Sequence, residues 1–234
     1  MKKRILVINP LATSEWNESD RVSLMEVAAK DTNIEVLNIE KGPPAIESYY
    51  DIAFATPDIL RIIKETHQDY DGIMINCFGD PGLMPARELV EIPVVGPGES
   101  ALLIASLLGH KFSVITPLRN RVPSIEIKVG SMGLIQRLSS VEHIDVRIEE
   151  MLKSDRVAEA LIDILRKIEK KTEVAVLGCC GFLPVYRKVI KCVKMPIVEP
   201  ATAALKVLES LIDLRLTHSK SGLYSYPARE KMKI

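Results

Sequence analysis

The 234-residue sequence has few aromatic residues, no net charge and no long apolar run. Aromatic residues make up only 5%, so the core must be built from Ile, Val, Leu and Ala, as in buried parallel sheets. Lysine plus arginine and aspartate plus glutamate number 31 each, so the chain has no excess of basic residues that would indicate binding to nucleic acid or an anionic membrane. No apolar stretch approaches the ~18 residues of a membrane span. The first apolar run ends at Asn9-Pro10, short of the ~7–15 residues of a signal peptide, so we predict a cytoplasmic protein.

The motifs of cofactor and metal binding are also missing. There is no G-x-G-x-x-G segment and no P-loop, so a nucleotide cofactor has no support. The four cysteines and four histidines lack the spacings typical of zinc ligands. Four cysteines in a chain of this size also do not make a disulfide framework, and a reducing compartment favours free thiols. We therefore predict no cofactor, no metal and free cysteines.

A cysteine-bearing segment occurs twice in the chain. The run 74–79, Met-Ile-Asn-Cys-Phe-Gly, is echoed by 176–181, Val-Leu-Gly-Cys-Cys-Gly, with the shared pattern Cys-x-Gly. Each copy precedes a helix-like stretch and then a short strand opened by proline, at Pro93 and Pro196. The copies lie about 100 residues apart, which indicates duplicated domains because solenoid units run only ~20–50 residues.

Short Val/Ile-rich runs alternate with longer helical patterns, which is typical of βαβ units and a parallel sheet. The predicted fold is therefore α/β, with two pseudo-symmetric Rossmann-like parallel-sheet domains and an active site in the cleft between them. We assign residues 1–96 plus 201–234 to the first domain and 97–200 to the second. The predicted strands are 5–8, 35–38, 72–75, 94–95, 112–115, 136–139, 174–177 and 197–198. The predicted helices are 56–66, 98–108, 121–132, 155–168, 183–191 and 201–216.

Cys77 and Cys179 are the leading candidates for chemistry. Each lies at the carboxyl end of a predicted parallel strand, where open α/β sheets bind ligands. Each also precedes a turn that opens a helix, a setting that can lower a thiol pKa from ~8.5 towards ~3.5–7.5. The alternative is a pair of inert, buried thiols. Cys180 could replace Cys179 in the repeat alignment, but we interpret it as structural, and Cys192 as part of the core.

Polar groups around the cysteines predict further contacts with a small molecule. Asn9 and Thr116 follow equivalent strands and could hold a carboxylate or amide oxygen, or could simply cap their turns. Ser14 could assist them. The turn that begins at Phe78-Gly79 has glycine N–H groups that could hold an oxyanion. Glu47 lies on a loop that could reach the site or stay purely structural.

Several segments resemble the Asp/Glu racemase superfamily and, within it, the hydantoin racemase branch that includes allantoin racemases. The most specific is Cys77-Phe78-Gly79-Asp80-Pro81-Gly82-Leu83. The others are 42–51, 93–96, 105–114, 178–181 and 217–224, so the resemblance covers nearly the whole chain. It implies cofactor-independent racemisation by Cys77 and Cys179 in a cleft between two α/β domains. It also implies a homo-oligomer, with no nucleic-acid or membrane partner.

Two features depart from this branch. The branch typically begins Asn-Pro-Asn-Thr, whereas this chain has Asn9-Pro10-Leu11-Ala12, so part of the substrate anchor is altered. The second cysteine is usually followed by alanine and here by Cys180. The Cys-Asn-Thr and Cys-Thr-His motifs of glutamate racemases are absent, which weighs against free glutamate or aspartate.

The resulting hypothesis is racemisation of 5-substituted hydantoins, in which one cysteine deprotonates C5 and the other reprotonates the opposite face. The alternatives are a racemase of allantoin or of amino acids, an enzyme like maleate isomerase or arylmalonate decarboxylase, and a non-catalytic small-molecule binding protein. The predicted catalytic residues are Cys77 and Cys179, and the predicted substrate contacts are Asn9, Ser14, Glu47, Phe78, Gly79, Thr116, Cys180 and Gly181.

Overall fold

The computed structural model describes residues 2–153 and 155–228 and contains two four-stranded parallel sheets. The first sheet has the order β2-β1-β3-β4, and the second has the order β6-β5-β7-β8. The strands are β1 Lys3–Asn9, β2 Thr32–Asn38, β3 Gly72–Ile75, β4 Val94–Val95, β5 Phe112–Thr116, β6 Leu138–His143, β7 Val174–Leu177 and β8 Ile197–Val198. The matching strand orders confirm the predicted pseudo-symmetric α/β fold.

Helices cover both faces of each sheet. The α-helices of the described chain are α1 Asn17–Met25, α2 Tyr49–Thr66, α3 Leu83–Leu89, α4 Pro97–Leu108, α5 Val122–Ser131, α6 Asp155–Ile168, α7 Leu183–Val189 and α8 Pro200–Asp213. No helix among the described residues is long and apolar enough to cross a bilayer.

The interiors of β1, β3 and β7 are continuously apolar because both faces of each sheet are covered. On β1, Leu6 and Ile8 pack with α2 and α3, while Ile5 and Val7 point to the opposite face and pack with α1 and α8. In the second sheet one face packs with α6 and α7, and the other with α4 and α5. Successive side chains along a strand point to opposite faces of the sheet. The two faces of the two sheets therefore form four apolar clusters.

The helix that follows each edge strand crosses to the other half of the molecule. Helix α4 follows β4 of the first sheet but packs on the second, through Ala101, Leu102 and Ala105. Helix α8 follows β8 of the second sheet but packs on the first, through Ala204, Leu205 and Leu208. The two helices also contact each other. This packing supports our proposal that 97–200 and 1–96 plus 201–234 form the two domains; residues after 228 lie outside the described part.

Several elements differ from the predicted ranges, among them α1, α2 and β6. Helix α1 has no predicted counterpart, because its sequence, Asn-Glu-Ser-Asp-Arg-Val-Ser-Leu-Met, is mostly polar. Helix α2 begins at Tyr49 rather than at residue 56, since Pro57 lies inside the helix and Ser48 caps it by accepting from the Asp51 N–H. Strand β6 lies at Leu138–His143 instead of 136–139, because a 3-10 turn occupies Ile135–Arg137.

Candidate active site

A pocket opens where the central strands of the two sheets end. Its volume is about 780 Å³ when the mouth is included. The wall is formed at the carboxyl ends of β1 and β3 from the first sheet and of β5 and β7 from the second. The predicted residues that line it are Asn9, Cys77, Phe78, Gly79, Thr116, Cys179, Cys180 and Gly181. Eight of the ten predicted site residues therefore meet in one place.

The other two predicted residues, Ser14 and Glu47, are not part of the pocket wall. Ser14 is exposed. Glu47 lies beside the pocket and links the two halves, because its backbone carbonyl accepts from the Asn120 side chain and its Oε1 accepts from the Ile148 N–H. Their predicted contacts with substrate remain untested predictions.

Sequence reasoning missed much of the pocket wall. The additional lining residues are Pro10, Leu11, Trp16, Asp20, Ile46, Asn76, Pro117, Leu118, Arg121, Ile125, Ile148 and Gly178. Most are apolar and come from the segments that follow β1 and β5. The proline after β1 and after β5 was the one sequence feature that indicated a turn at these segments. Nothing in the local sequence indicated that Asp20 or Arg121 would line a pocket.

The two cysteines have matching local environments. Each follows a central strand, and the N–H of the glycine two residues later donates to its sulfur, with a Gly181 N to Cys179 Sγ distance of 3.4 Å. Gly79 and Gly181 therefore direct their N–H groups at the thiols, rather than leaving them free for an oxyanion. Both cysteines are partly buried and have free thiols.

Burial raises the thiol pKa values in this pocket. It is the main cause that raises the pKa of Cys77 to about 11 and that of Cys179 to about 12, and in Cys179 the nearby Cys77 adds to it. The glycine N–H bonds and the guanidinium of Arg121 act in the opposite direction at both sites. The predicted lowering of the pKa is therefore wrong, because removal of the thiolate from water outweighs the turn geometry.

Cys180 and Cys192 differ from this pair. Cys180 is buried in the cluster that joins α8 to the first sheet, while it also lines the pocket, and burial raises its pKa well above the ordinary value. Cys192 is partly buried rather than part of the core, and its thiol contacts the Lys188 carbonyl. The interpretation of Cys192 as a core residue is therefore wrong.

A buried polar network supports the first-domain side of the pocket. Asn9 Nδ2 donates to Asn17 Oδ1 and to Asp20 Oδ2, both at 2.9 Å, and Asn76 Nδ2 donates to Asn9 Oδ1 at 2.9 Å and to Asp20 Oδ2 at 3.2 Å. Both N–H bonds of Asn9 are thus committed within the protein. Burial raises the pKa of Asp20 to about 6, although both amides counteract it.

Asp80 fixes the turn that follows Cys77. Its carboxylate accepts from the Gly98 and Glu99 N–H groups at the start of α4 and contacts Lys128 Nζ at 2.6 Å. The approach is so close that a Cβ on Gly98 would lie 2.1 Å from the Phe78 carbonyl oxygen. The turn beside the first thiol is therefore held by a helix of the second sheet.

In the second half, the helix start is bound by a carboxylate of its own segment. Glu199, at the start of α8, accepts from the Ala201 and Thr202 N–H groups and so caps its own helix. The equivalent position in the first half is Gly96, where a Cβ would lie 2.3 Å from Asp80 Oδ1. Burial raises the pKa of Glu199 to about 7, and this carboxylate in turn raises the pKa of Cys179.

Within the described residues, no group of three or more His, Cys, Asp or Glu side chains is arranged to hold a metal ion. The polar atoms of the pocket belong mainly to thiols, amides, one carboxylate and one guanidinium. This set can exchange protons and hold a small polar molecule.

Known proteins share both the sequence and this arrangement. The model of the Asp/Glu/hydantoin racemase family matches residues 5–208. The chain belongs to that family. It is 32% identical to a hydantoin racemase of Pseudomonas sp. (strain NS671), over 97% of this chain and 93% of the relative. Membership makes this racemase-family chain an isomerase, as the sequence predicted.

Solved structures support the assignment. The allantoin racemase from Klebsiella pneumoniae superposes with a TM-score of 0.94 at 30% identity, over 99% of this chain and 96% of that structure. A glutamate racemase from Francisella tularensis shares only the fold, with a TM-score of 0.63 at 16% identity over 93% of this chain and 84% of that structure. The racemase-family fold of two α/β domains is thereby confirmed.

Proposed function

We propose that this racemase-family protein racemises 5-substituted hydantoins, using Cys77 and Cys179 as the two acid–base groups. The observation that carries the proposal is the placement of two free thiols, one from each half, in equivalent turns that line one pocket. A planar ring between them would present one face of its C5 carbon to each sulfur.

One sulfur starts as a thiolate and the other as a thiol. The thiolate takes the C5 proton, and the electron pair left on carbon moves into the adjacent carbonyl to give an enolate. The other thiol then protonates C5 on the opposite face and becomes the thiolate. The nearby Cys77 raises the pKa of Cys179, so the presence of one thiolate disfavours a second, as this exchange of roles requires.

The pocket wall favours an apolar substituent on the ring. Trp16, Ile46, Leu118, Ile125 and Ile148 contribute apolar side chains to this wall. We therefore propose alkyl or aryl 5-substituents ahead of the ureido group of allantoin. The similar proteins include both a hydantoin racemase and an allantoin racemase, so the ranking rests on the pocket wall alone.

The test follows C5-proton exchange in D₂O by NMR, beside optical rotation, with single enantiomers of several hydantoins and of allantoin. We expect the wild type to exchange C5–H and lose rotation together. Cys77→Ser and Cys179→Ser should each abolish racemisation, since general acid–base groups contribute about 10²–10⁴-fold and both are needed here. Cys192→Ser, whose thiol lies outside the pocket, is the matched control.

Substantial racemisation by both single serine variants would refute the two-thiol mechanism. Exchange at the spontaneous rate with every hydantoin and with allantoin would refute the substrate class. Exchange without loss of rotation would indicate a one-sided reaction and favour the isomerase or decarboxylase alternatives.

A further inference from the structure

Arg121 places a positive charge in the pocket wall without a negative partner. It ends the 3-10 turn Arg119–Arg121 and precedes α5, and its side chain is half-buried. The guanidinium lies over the Tyr49 ring, 5.5 Å from its centroid. No carboxylate of the described chain lies within ion-pair distance of it, so its five N–H donors are available to a ligand.

The other charges around the thiols are either paired or negative. Lys128 is bound by Asp80, and it does not line the pocket. Asp20 lines the pocket, and Glu199 lies behind it near Cys179. Among described residues, Arg121 is thus the one cation in the pocket wall.

The guanidinium lies near the Cys77 thiol, and its charge also acts on Cys179. Its Nη2 and the Cys77 Sγ lie 3.9 and 3.5 Å, respectively, from the point that a Cβ on Gly79 would occupy. Its charge also lowers the pKa of both Cys77 and Cys179. A carbon held between the two sulfurs would therefore place its attached carbonyl oxygen within reach of this side chain.

We propose that Arg121 is a further catalytic residue, which binds the carbonyl oxygen next to the reacting carbon and stabilises the enolate. The inference rests on the proposed racemase function. Because the glycine N–H groups point at the sulfurs, the guanidinium is the charged donor that the pocket wall offers to a developing oxyanion. A planar, always charged group suits that task in a water-poor site.

The same charge also has a second effect on the thiols. Burial and the acidic neighbours Asp80 and Glu199 disfavour a thiolate, and Arg121 opposes them from inside the pocket. As the charge moves from sulfur to the enolate oxygen and back, the guanidinium attracts it at each stage. One residue thereby supports both the resting thiolate and the intermediate.

The test compares Arg121→Gln and Arg121→Lys with Arg119→Gln, a matched variant of an exposed neighbouring arginine. With neutral 5-substituted hydantoins, Arg121→Gln should lower kcat by roughly 10²-fold with little change in KM, the cost of one oxyanion donor. Arg121→Lys should recover part of the loss, and Arg119→Gln should match the wild type.

A second measurement does not depend on turnover. Alkylation of Cys77 and Cys179 by iodoacetamide, followed by peptide mass spectrometry across pH, should move to higher pH in Arg121→Gln but not in Arg119→Gln. Cys192 serves as the internal reference in every sample. This profile tests Arg121 even if the wild type leaves all hydantoins unchanged, an outcome that would refute the proposed function.

Three results would overturn the inference. A kcat of Arg121→Gln within twofold of wild type would remove the catalytic role. A loss confined to substrates with an anionic 5-substituent would show that Arg121 selects the substituent instead. An alkylation profile unchanged in Arg121→Gln would show that the guanidinium does not act on the thiols.

Discussion

Asp20 keeps a titratable proton inside the pocket wall. The residue is 4% exposed, and within the described part of the chain its carboxylate accepts from the amides of Asn9 and Asn76 and forms no ion pair. Burial raises its pKa from the ordinary 3.8 to about 6. The folded protein therefore binds a proton at Asp20 over a pH range in which the unfolded chain does not.

This shift gives Asp20 a predictable effect on stability. Because the folded pKa is raised, its contribution is fully present below about pH 3.8 and is lost as pH rises through about 6. A shift of about two pKa units corresponds to roughly 3 kcal/mol in the free energy of unfolding. Asp20→Asn should remove this dependence while it keeps an oxygen for both amides.

Urea denaturation at several pH values checks this prediction. The unfolding free energy of wild type minus that of Asp20→Asn should fall as pH rises from 3.5 to 7.5. Asp163→Asn, at an exposed position on α6, is the control and should show a flat difference. A flat difference for Asp20→Asn as well would mean that the carboxylate is ionised without cost.

The candidate site was predictable wherever residue type and repeat position coincided. Cys77 and Cys179 stand out because Cys-x-Gly recurs after equivalent strands. Asp20 and Arg121 could not be identified from the sequence, because their approach to the thiols depends on how α1 and the turn before α5 pack. The direction of the thiol pKa shifts was also inaccessible, since burial is a property of the assembled pocket.

At the scale of elements, the contact between the Cys77 turn and α4 leaves no space for a side chain. Gly98→Ala would place a methyl group against the Phe78 carbonyl oxygen and force α4 away from Asp80. Overpacking of this kind typically costs about 1–3 kcal/mol. We expect Gly98→Ala to lower the free energy of unfolding by about this amount and to weaken ligand protection of Cys77.

Gly130→Ala is the matched control for Gly98→Ala. Gly130 lies in α5 with open space around its missing side chain. Alanine there should raise the free energy of unfolding by about 0.5–1 kcal/mol, the usual gain over glycine in a helix. Thermal or urea denaturation measures both variants, and equal effects would show that the close contact is not rigid.

The elements themselves were largely predictable. The central strands consist mainly of apolar residues, and their predicted positions agree with the structure to within two residues. The misplaced β6 and the missing α1 lie at a sheet edge and on a polar surface, where the apolar pattern is weak. The start of α2 was predicted seven residues too late. Pro57 indicated a helix start near residue 56, because proline is far more common in a first turn than in a helix interior.

At the scale of the whole molecule, the exchanged helices α4 and α8 join the two halves. Glu209 on α8 is 4% exposed, and it accepts from the Ala29 N–H at 2.8 Å and from Thr32 Oγ1 at 2.6 Å, both in the first half. Because each sheet is completed by a helix from the other half, we expect the chain to unfold as one unit.

Glu209→Ala tests this coupling. The change leaves the two donors of the first half, the Ala29 N–H and the Thr32 hydroxyl, without their acceptor. It should lower the free energy of unfolding by about 2–6 kcal/mol, at about 1–3 kcal/mol for each group. Glu159→Ala, at an exposed site on α6, should shift it by less than about 0.5 kcal/mol. Fluorescence of Trp16 and far-UV circular dichroism should still give coincident single transitions. Separate transitions in Glu209→Ala would contradict the coupling.

The exchange of helices also dictates the order of events during synthesis. The first sheet is complete in sequence once β4 has left the ribosome, yet the face that carries Ile5, Val7 and Met74 is covered only in part, by α1, until α8 emerges more than 100 residues later. A nascent chain must therefore carry an open, apolar sheet face through the translation of the entire second half. We expect this interval to be the period in which the growing polypeptide depends on chaperones.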